Sequence, residues 1–274
     1  MKMTPKPPHK RAAAKYALAI GCTLFGWLSP PVEAVSIDLT TSINAGGEIN
    51  GAIFLVDNSQ PAGTGIFGRD AGGVFLRIQV TGTEQGYNTS ANGVMDNKTG
   101  PFTRDLLYST LNTVSIEGSL YVPFLLDTNE MNTVEGRTIT MESLKIFSST
   151  TGGLSHGDIG GLEGDAATTL LYDLDGTPDG DSSVLLDYDL IGRGSGAADM
   201  GVFIPLINFA GVEDDEYIVL YSSFSGADAG FEEWTPGAQG PLPPDDPGPN
   251  PLPEPSTGVM GLIGLMLILR RRNR

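Results

Sequence analysis

The densest group of chemically capable side chains lies between residues 169 and 190. The stretches 169–175 (TLLYDLD) and 184–190 (VLLDYDL) flank a turn-rich segment, 176–183 (GTPDGDSS). Successive strand residues point to opposite faces, so the two stretches read as a hairpin with one apolar and one acidic face. Leu170, Tyr172, Leu174, Leu186, Tyr188 and Leu190 would share the first face. Asp173, Asp175, Asp187 and Asp189 would share the second, with Asp179 and Asp181 at the tip. Like charges across a strand pair destabilise it, so solvent or a cation must relieve the crowding. Carboxylates beside a glycine-containing loop are the hard oxygen ligands that calcium prefers, which makes these six aspartates a candidate calcium site. The loop is no EF-hand, because the twelfth position counted from Asp175 is Leu186 where glutamate is required. The alternative is a solvated acidic face that keeps an exposed hairpin soluble and blocks edge pairing.

Other reactive groups are sparse. Past the first 34 residues there is one histidine, His156, in a Gly-rich loop, and no cysteine, since Cys22 is the only one in the chain. Asp158 or Asp165 could complete a Ser-His-Asp site with His156, but no G-x-S-x-G elbow is present. With one histidine and no cysteine, zinc chemistry is poorly served. The many acids could supply a carboxylate pair for glycoside hydrolysis. The segment 192–196 (GRGSG) resembles a phosphate loop but lacks its lysine and a following helix, so it reads as a turn. Asn88 and Asn97 open glycosylation-like triplets that read as turns. Trp234 reads either as a lock on the last strand or as a sugar-stacking surface.

The elements that must position these groups are strands. Short apolar or alternating runs bounded by Gly, Asn, Asp and Ser cover 52–56, 73–80, 113–126, 138–147, 169–174, 184–191, 201–207 and 217–224. No stretch before residue 256 keeps a helical period for three turns. Strands without intervening helices predict an all-β domain over 35–240, an antiparallel β-sandwich or jelly-roll-like fold. Residues 35–269 hold 7 Lys and Arg against 32 Asp and Glu, a balance near −25. Such a charge repels nucleic acid and excludes it as a partner.

The two ends read as addresses. Residues 1–34 carry a basic start (Lys2, Lys6, Lys10, Arg11, Lys15), an apolar run from Tyr16 to Leu28 and a small-residue site, which predicts a signal peptide cut between Ala34 and Val35. A lipoprotein signal at Cys22 is the alternative, although the apolar stretch after it fits a tether badly. Eight of the residues in 241–255 are proline, which favours an extended spacer of about 45 Å at roughly 3.1 Å per residue. Residues 256–269 form a short apolar segment, about 21 Å long as a helix at roughly 1.5 Å per residue, against the about 30 Å of a bilayer core. Arg270, Arg271, Arg272 and Arg274 follow it and predict a cytoplasmic end.

Signal peptide, Pro253-Glu254-Pro255 motif, short apolar helix and arginine-rich end together resemble the PEP-CTERM sorting proteins. The middle is similar to uncharacterised members of that group through residues 75–79, 84–89, 124–127, 171–175 and 230–234. The resemblance implies that Pro253, Glu254 and Pro255 form a sorting motif read by an exosortase-type membrane peptidase of a bacterium that makes exopolysaccharide. It implies an exported protein, held in the bacterial membrane or released to the cell surface or matrix after tail processing, and supplies no reaction. The expectation is therefore a non-catalytic structural or carbohydrate-interacting module, with exopolysaccharide as the candidate partner. The alternative is an extracellular glycosidase-like hydrolase using a carboxylate pair.

Overall fold

The structure, a computed structural model, describes residues 34–57, 73–134, 136–176, 180–191, 196–228 and 230–237. The segment before Ala34, Asp179, the spacer with Pro253, Glu254 and Pro255, the apolar segment 256–269 and the arginine tail all lie outside the described residues. Among the described residues no helix is long and apolar enough to cross a membrane.

The described chain is all-β, with strands in two sheets and one short helix. In chain order the strands are β1 (Ser36–Asp38), β2 (Gly46–Ile49), β3 (Ala52–Val56), β4 (Leu76–Ile78), β5 (Gly82–Tyr87), β6 (Leu106–Leu107) and β7 (Val114–Ile116). They continue as β8 (Ser119–Thr128), β9 (Thr138–Ser149), β10 (Thr168–Asp173), β11 (Ser183–Asp187), β12 (Met200–Pro205), β13 (Tyr217–Ala227) and β14 (Glu232–Pro236), with helix α1 (Ile159–Glu163) before β10. The first sheet runs β1-β11-β9-β13-β5, with β10 also on β9 and β6 on β13. The second runs β2-β3-β12-β8-β14-β4, with β7 also on β8.

Apolar alternation determines which faces meet. Ile139, Met141, Leu144 and Ile146 of β9 join Ile218, Leu220 and Phe224 of β13 in one buried cluster with Phe54, Phe124, Leu126, Val202 and Trp234 of the second sheet. Burying each such side chain contributes about 1.5–3 kcal/mol. Trp234 is wholly buried and donates Nε1–H to Ser222 Oγ at 3.0 Å, which ties β14 to β13 of the other sheet. The lock reading of Trp234 is therefore the observed one.

Two-residue turns close two hairpins. Asn50 and Gly51 join β2 to β3, and Glu117 and Gly118 join β7 to β8, all four with positive φ. That conformation matches the twist of paired strands and suits Asn and Gly, so Glu117 is the strained member.

Two expectations are corrected here. Most pairs are antiparallel, but β1 lies parallel to β11. More consequentially, β10 and β11 do not form a hairpin. Both run antiparallel to β9, β10 against residues 145–149 and β11 against residues 138–141. They line two halves of the same side of β9, with β1 lying beyond the β11 half, and 174–182 is the chain between them. A register shift between Leu170 and Tyr172 turns Leu170 outward, 48% exposed, while Tyr172, Leu174 and Leu186 stay in the core.

Candidate functional site

Carboxylates gather in two places, with opposite surroundings. The first is the segment that the sequence picks out. Beside β9, Asp173 accepts a 2.6 Å hydrogen bond from Lys145 Nζ, which also reaches Glu163 at 3.1 Å. Burial pulls the Lys145 ammonium down, but its bonds to Asp173 and Glu163 outweigh that and raise it. Asp187, buried in β11, pairs with Arg137 at 3.1 Å. Asp189 accepts from Asn132 Nδ2 at 3.2 Å, and Asp175 accepts from the backbone N–H of exposed Asp181 at 3.3 Å. Partial burial raises the Asp175 carboxyl.

Asp173 and Asp187 both alternate outward from buried Tyr172 and Leu186. They lie opposite Lys145 and Thr138, seven positions apart along β9, so the predicted calcium ligands are spread out rather than gathered. Asp173 and Asp187 take lysine and arginine as counter-ions, Asp175 and Asp181 meet through the backbone, and Asp179 lies outside the described residues. Among the described residues no group of three or more His, Cys, Asp or Glu is arranged to hold a metal ion. The physical reason is the strand geometry: without the hairpin, β10 and β11 lie end to end rather than side by side.

The second gathering is buried at one end of the two sheets. Glu232 of β14 is 0% exposed, Glu84 of β5 is 1% and Glu130, just after β8, is 5%. Glu232 lies within hydrogen-bonding reach of both Glu84 and Glu130. Two backbone N–H groups reach the trio: Val80 donates to Glu84 Oε2 and Asp228 to Glu130 Oε2, each at 2.8 Å. Among the described residues, Glu84 Oε1, Glu130 Oε1 and both carboxyl oxygens of Glu232 meet no N–H or hydroxyl donor. Burial, then the neighbouring carboxyls, push Glu232 up to about 12, and burial raises Glu84 and Glu130 as well.

Alternation along β8 and β14 sends the next residues to the opposite face. There Asp127, wholly buried, accepts from the Gly196 N–H at 2.8 Å and is pushed up by burial to about 7. Asp199, whose Oδ2 accepts from both Thr128 N and Thr128 Oγ1 at 2.8 Å, is raised well above the carboxylate range by burial and by Asp127. Glu233 is ion-paired with Arg77, whose guanidinium sits 3.6 Å from the Phe102 ring centre and 4.6 Å from that of Phe231. The backbone of Gly230 lies so close to the Asn129 carbonyl that no side chain fits between them.

His156 pairs with the predicted partner Asp165, Nε2 to Oδ2 at 2.8 Å. Asp158 instead caps α1, accepting from the Gly161 N–H at 2.8 Å. No serine hydroxyl is bonded to His156 among the described residues. The two sequon asparagines hold backbone and are not simple turn residues. Buried Asn88 bonds Ile218 O and Leu220 N of β13, and Asn97 Nδ2 bonds Tyr87 O at 2.8 Å. Val35 is exposed, and its carbonyl accepts from the Ser183 N–H at 3.0 Å at the start of β1.

An open apolar depression of about 490 Å³, lined by Leu120, Tyr121, Pro205, Leu206, Ile207 and Ala210, carries no titratable group besides the tyrosine. The glutamate trio was not legible as a unit, since its members are 46 and 102 residues apart along the chain. Glu84 and Glu232 take buried positions in β5 and β14, whose sequences GTEQGY and EEWTP hold too few apolar residues to mark those positions as inward. No family profile, curated protein or solved structure matches the chain.

Proposed function

We propose that the chain is an exported, surface-displayed structural protein whose two sheets form a jelly-roll-like β-sandwich, delivered by its terminal segments. The domain performs no catalysis in this reading. One observation carries it: the carboxylates that converge are sealed inside the protein. A glycosidase needs its acid pair beside a cleft that admits a sugar and a water, and Glu84, Glu130, Glu232 and Asp127 are each at most 5% exposed. A sugar-binding face of the stacking kind would present aromatic rings. None of the exposed large apolar side chains among the described residues is aromatic. The structural reading is therefore the better supported one.

Delivery rests on the termini. Val35 and Gly237 are both bonded into the fold, Val35 through Ser183 and Gly237 through its N–H to Pro123 O at 2.9 Å. The strands thus fill the interval between the signal segment and the spacer, as expected of a domain freed at Val35 and held from residue 241 onward. Processing by an exosortase-type peptidase at Pro253-Glu254-Pro255 would leave a chain ending near that motif. Intact mass of the protein recovered from its native surface tests the reading. A start at Val35 and an end near Glu254 or Pro255 are expected. A product that retains both Met1 and Arg274 would refute it.

A further inference from the structure

We propose that Glu84, Glu130 and Glu232 form a proton-held clasp that closes one end of the two sheets in acid and at neutrality and loosens as pH rises. Glu84 comes from the first sheet, Glu232 from the second, and Glu130 from the chain just beyond β8, so the three carboxyls join both layers. Glu232 is central and lies against each of the others.

Two deprotonated carboxylates cannot hydrogen-bond to each other, because both only accept. A buried charge without a partner is costly enough that the group neutralises instead. The clasp must therefore contain carboxyl protons, one for each contact that Glu232 makes. Carboxyl pairs sharing a proton are a known outcome of like charges held in contact.

Among the described residues the charged neighbours supply no alternative. Besides the trio, the charged group acting on Glu84 is Asp96 and the one acting on Glu130 is Asp228, both acidic. Arg77 of β4 pairs with Glu233, whose side chain alternates to the opposite face of β14 from Glu232. No described trio of acids is arranged around a metal position, and Glu232 is the member that lies against both of the others.

The sign follows from linkage. All three groups are raised in the folded state, so the unfolded chain releases their protons at lower pH than the folded one. The clasp's contribution is complete below the ordinary glutamate pKa of 4.5 and declines as pH rises towards the folded value of about 12. Each retained proton changes the folding equilibrium by up to about tenfold per pH unit.

Thermal unfolding of the full chain from pH 5 to pH 8, for the wild type and Glu232→Gln, tests the clasp. The substituted amide offers two fixed N–H donors in place of the titrating protons. The wild-type Tm should fall on the order of 10 °C over this range, and the variant should lose at least about half of that slope. The remainder belongs to Asp127 and Asp199. A variant with the wild-type slope would overturn the proposal. So would calcium or magnesium at millimolar level restoring the wild-type Tm at pH 8 but not that of the variant, since an ion would then be what the carboxylates hold. Should the variant fail to fold, carbon-labelled glutamate carboxyls in the wild type decide by NMR. At least one should stay protonated at pH 8, and full ionisation would refute the clasp.

Discussion

The side of β9 lined by β10 and β11 and the sealed end around Glu232 are both acidic, yet they handle charge in opposite ways. Beside β9, carboxylates crowded in sequence are spread out in space and meet Lys145, Arg137 and Asn132. At the sealed end, three glutamates distant in sequence are brought together with no cation beside them among the described residues. A dense acidic run is inexpensive where water and basic side chains reach it, so it says little about chemistry. Scattered acids folded into the interior must change protonation state to be there at all.

This contrast can be broken by mutation. The largest loss is expected beneath the sealed end: Trp234→Ala should cost about 3–5 kcal/mol in chemical denaturation, because it empties a fully buried site. A loss near 1 kcal/mol would mean that the two sheets are not held together there. Arg77→Ala comes next, at about 3 kcal/mol near neutral pH, because it leaves Glu233 as a buried charge without its partner. Burial raises the Glu233 carboxyl, so acid should neutralise it and shrink the deficit. A deficit that grows on acidification would contradict that picture.

Lys145→Ala should be milder, about 1 kcal/mol, since water can reach Glu163 and part of Asp173 when the ammonium is gone. If it proved as damaging as Arg77→Ala, the two acidic regions would not differ in kind. The smallest effect is expected from calcium. With Asp173 and Asp187 already neutralised, millimolar calcium should move the Tm by no more than about 2 °C. A larger rise, removed by Asp175→Asn, would show that the segment 173–189 takes an ion after all.

Much of the fold could be read from periodicity. The run 52–56 coincides with β3, and the runs 138–147 and 217–224 lie within the long central strands β9 and β13. The strands β2, β5 and β14 were hidden because GGEI, GTEQGY and EEWTP place glycine or glutamate where an apolar residue signals a strand. Asn50-Gly51 was a usable hairpin cue that points straight at β2. The acidic segment misled because a Gly- and Pro-containing break between two matching runs looks the same for a hairpin as for a connection between two halves of one strand position. Only the partner strand distinguishes them, and β9 is an earlier part of the chain. The glutamate trio was illegible for a similar reason: tertiary contact alone makes it a unit.

The parallel pairing of β1 with β11 also bears on the order of assembly. Ser36 and Ser183, partners in that pair, lie 147 residues apart. A chain made from its N-terminus at about 5–20 residues per second exposes β1 for on the order of ten seconds before its partner exists. Such distant pairings also slow folding itself. The first strand to appear is thus among the last to find its place, and in that interval its unpaired edge is open to any holding factor, or to a neighbouring copy that offers a strand first.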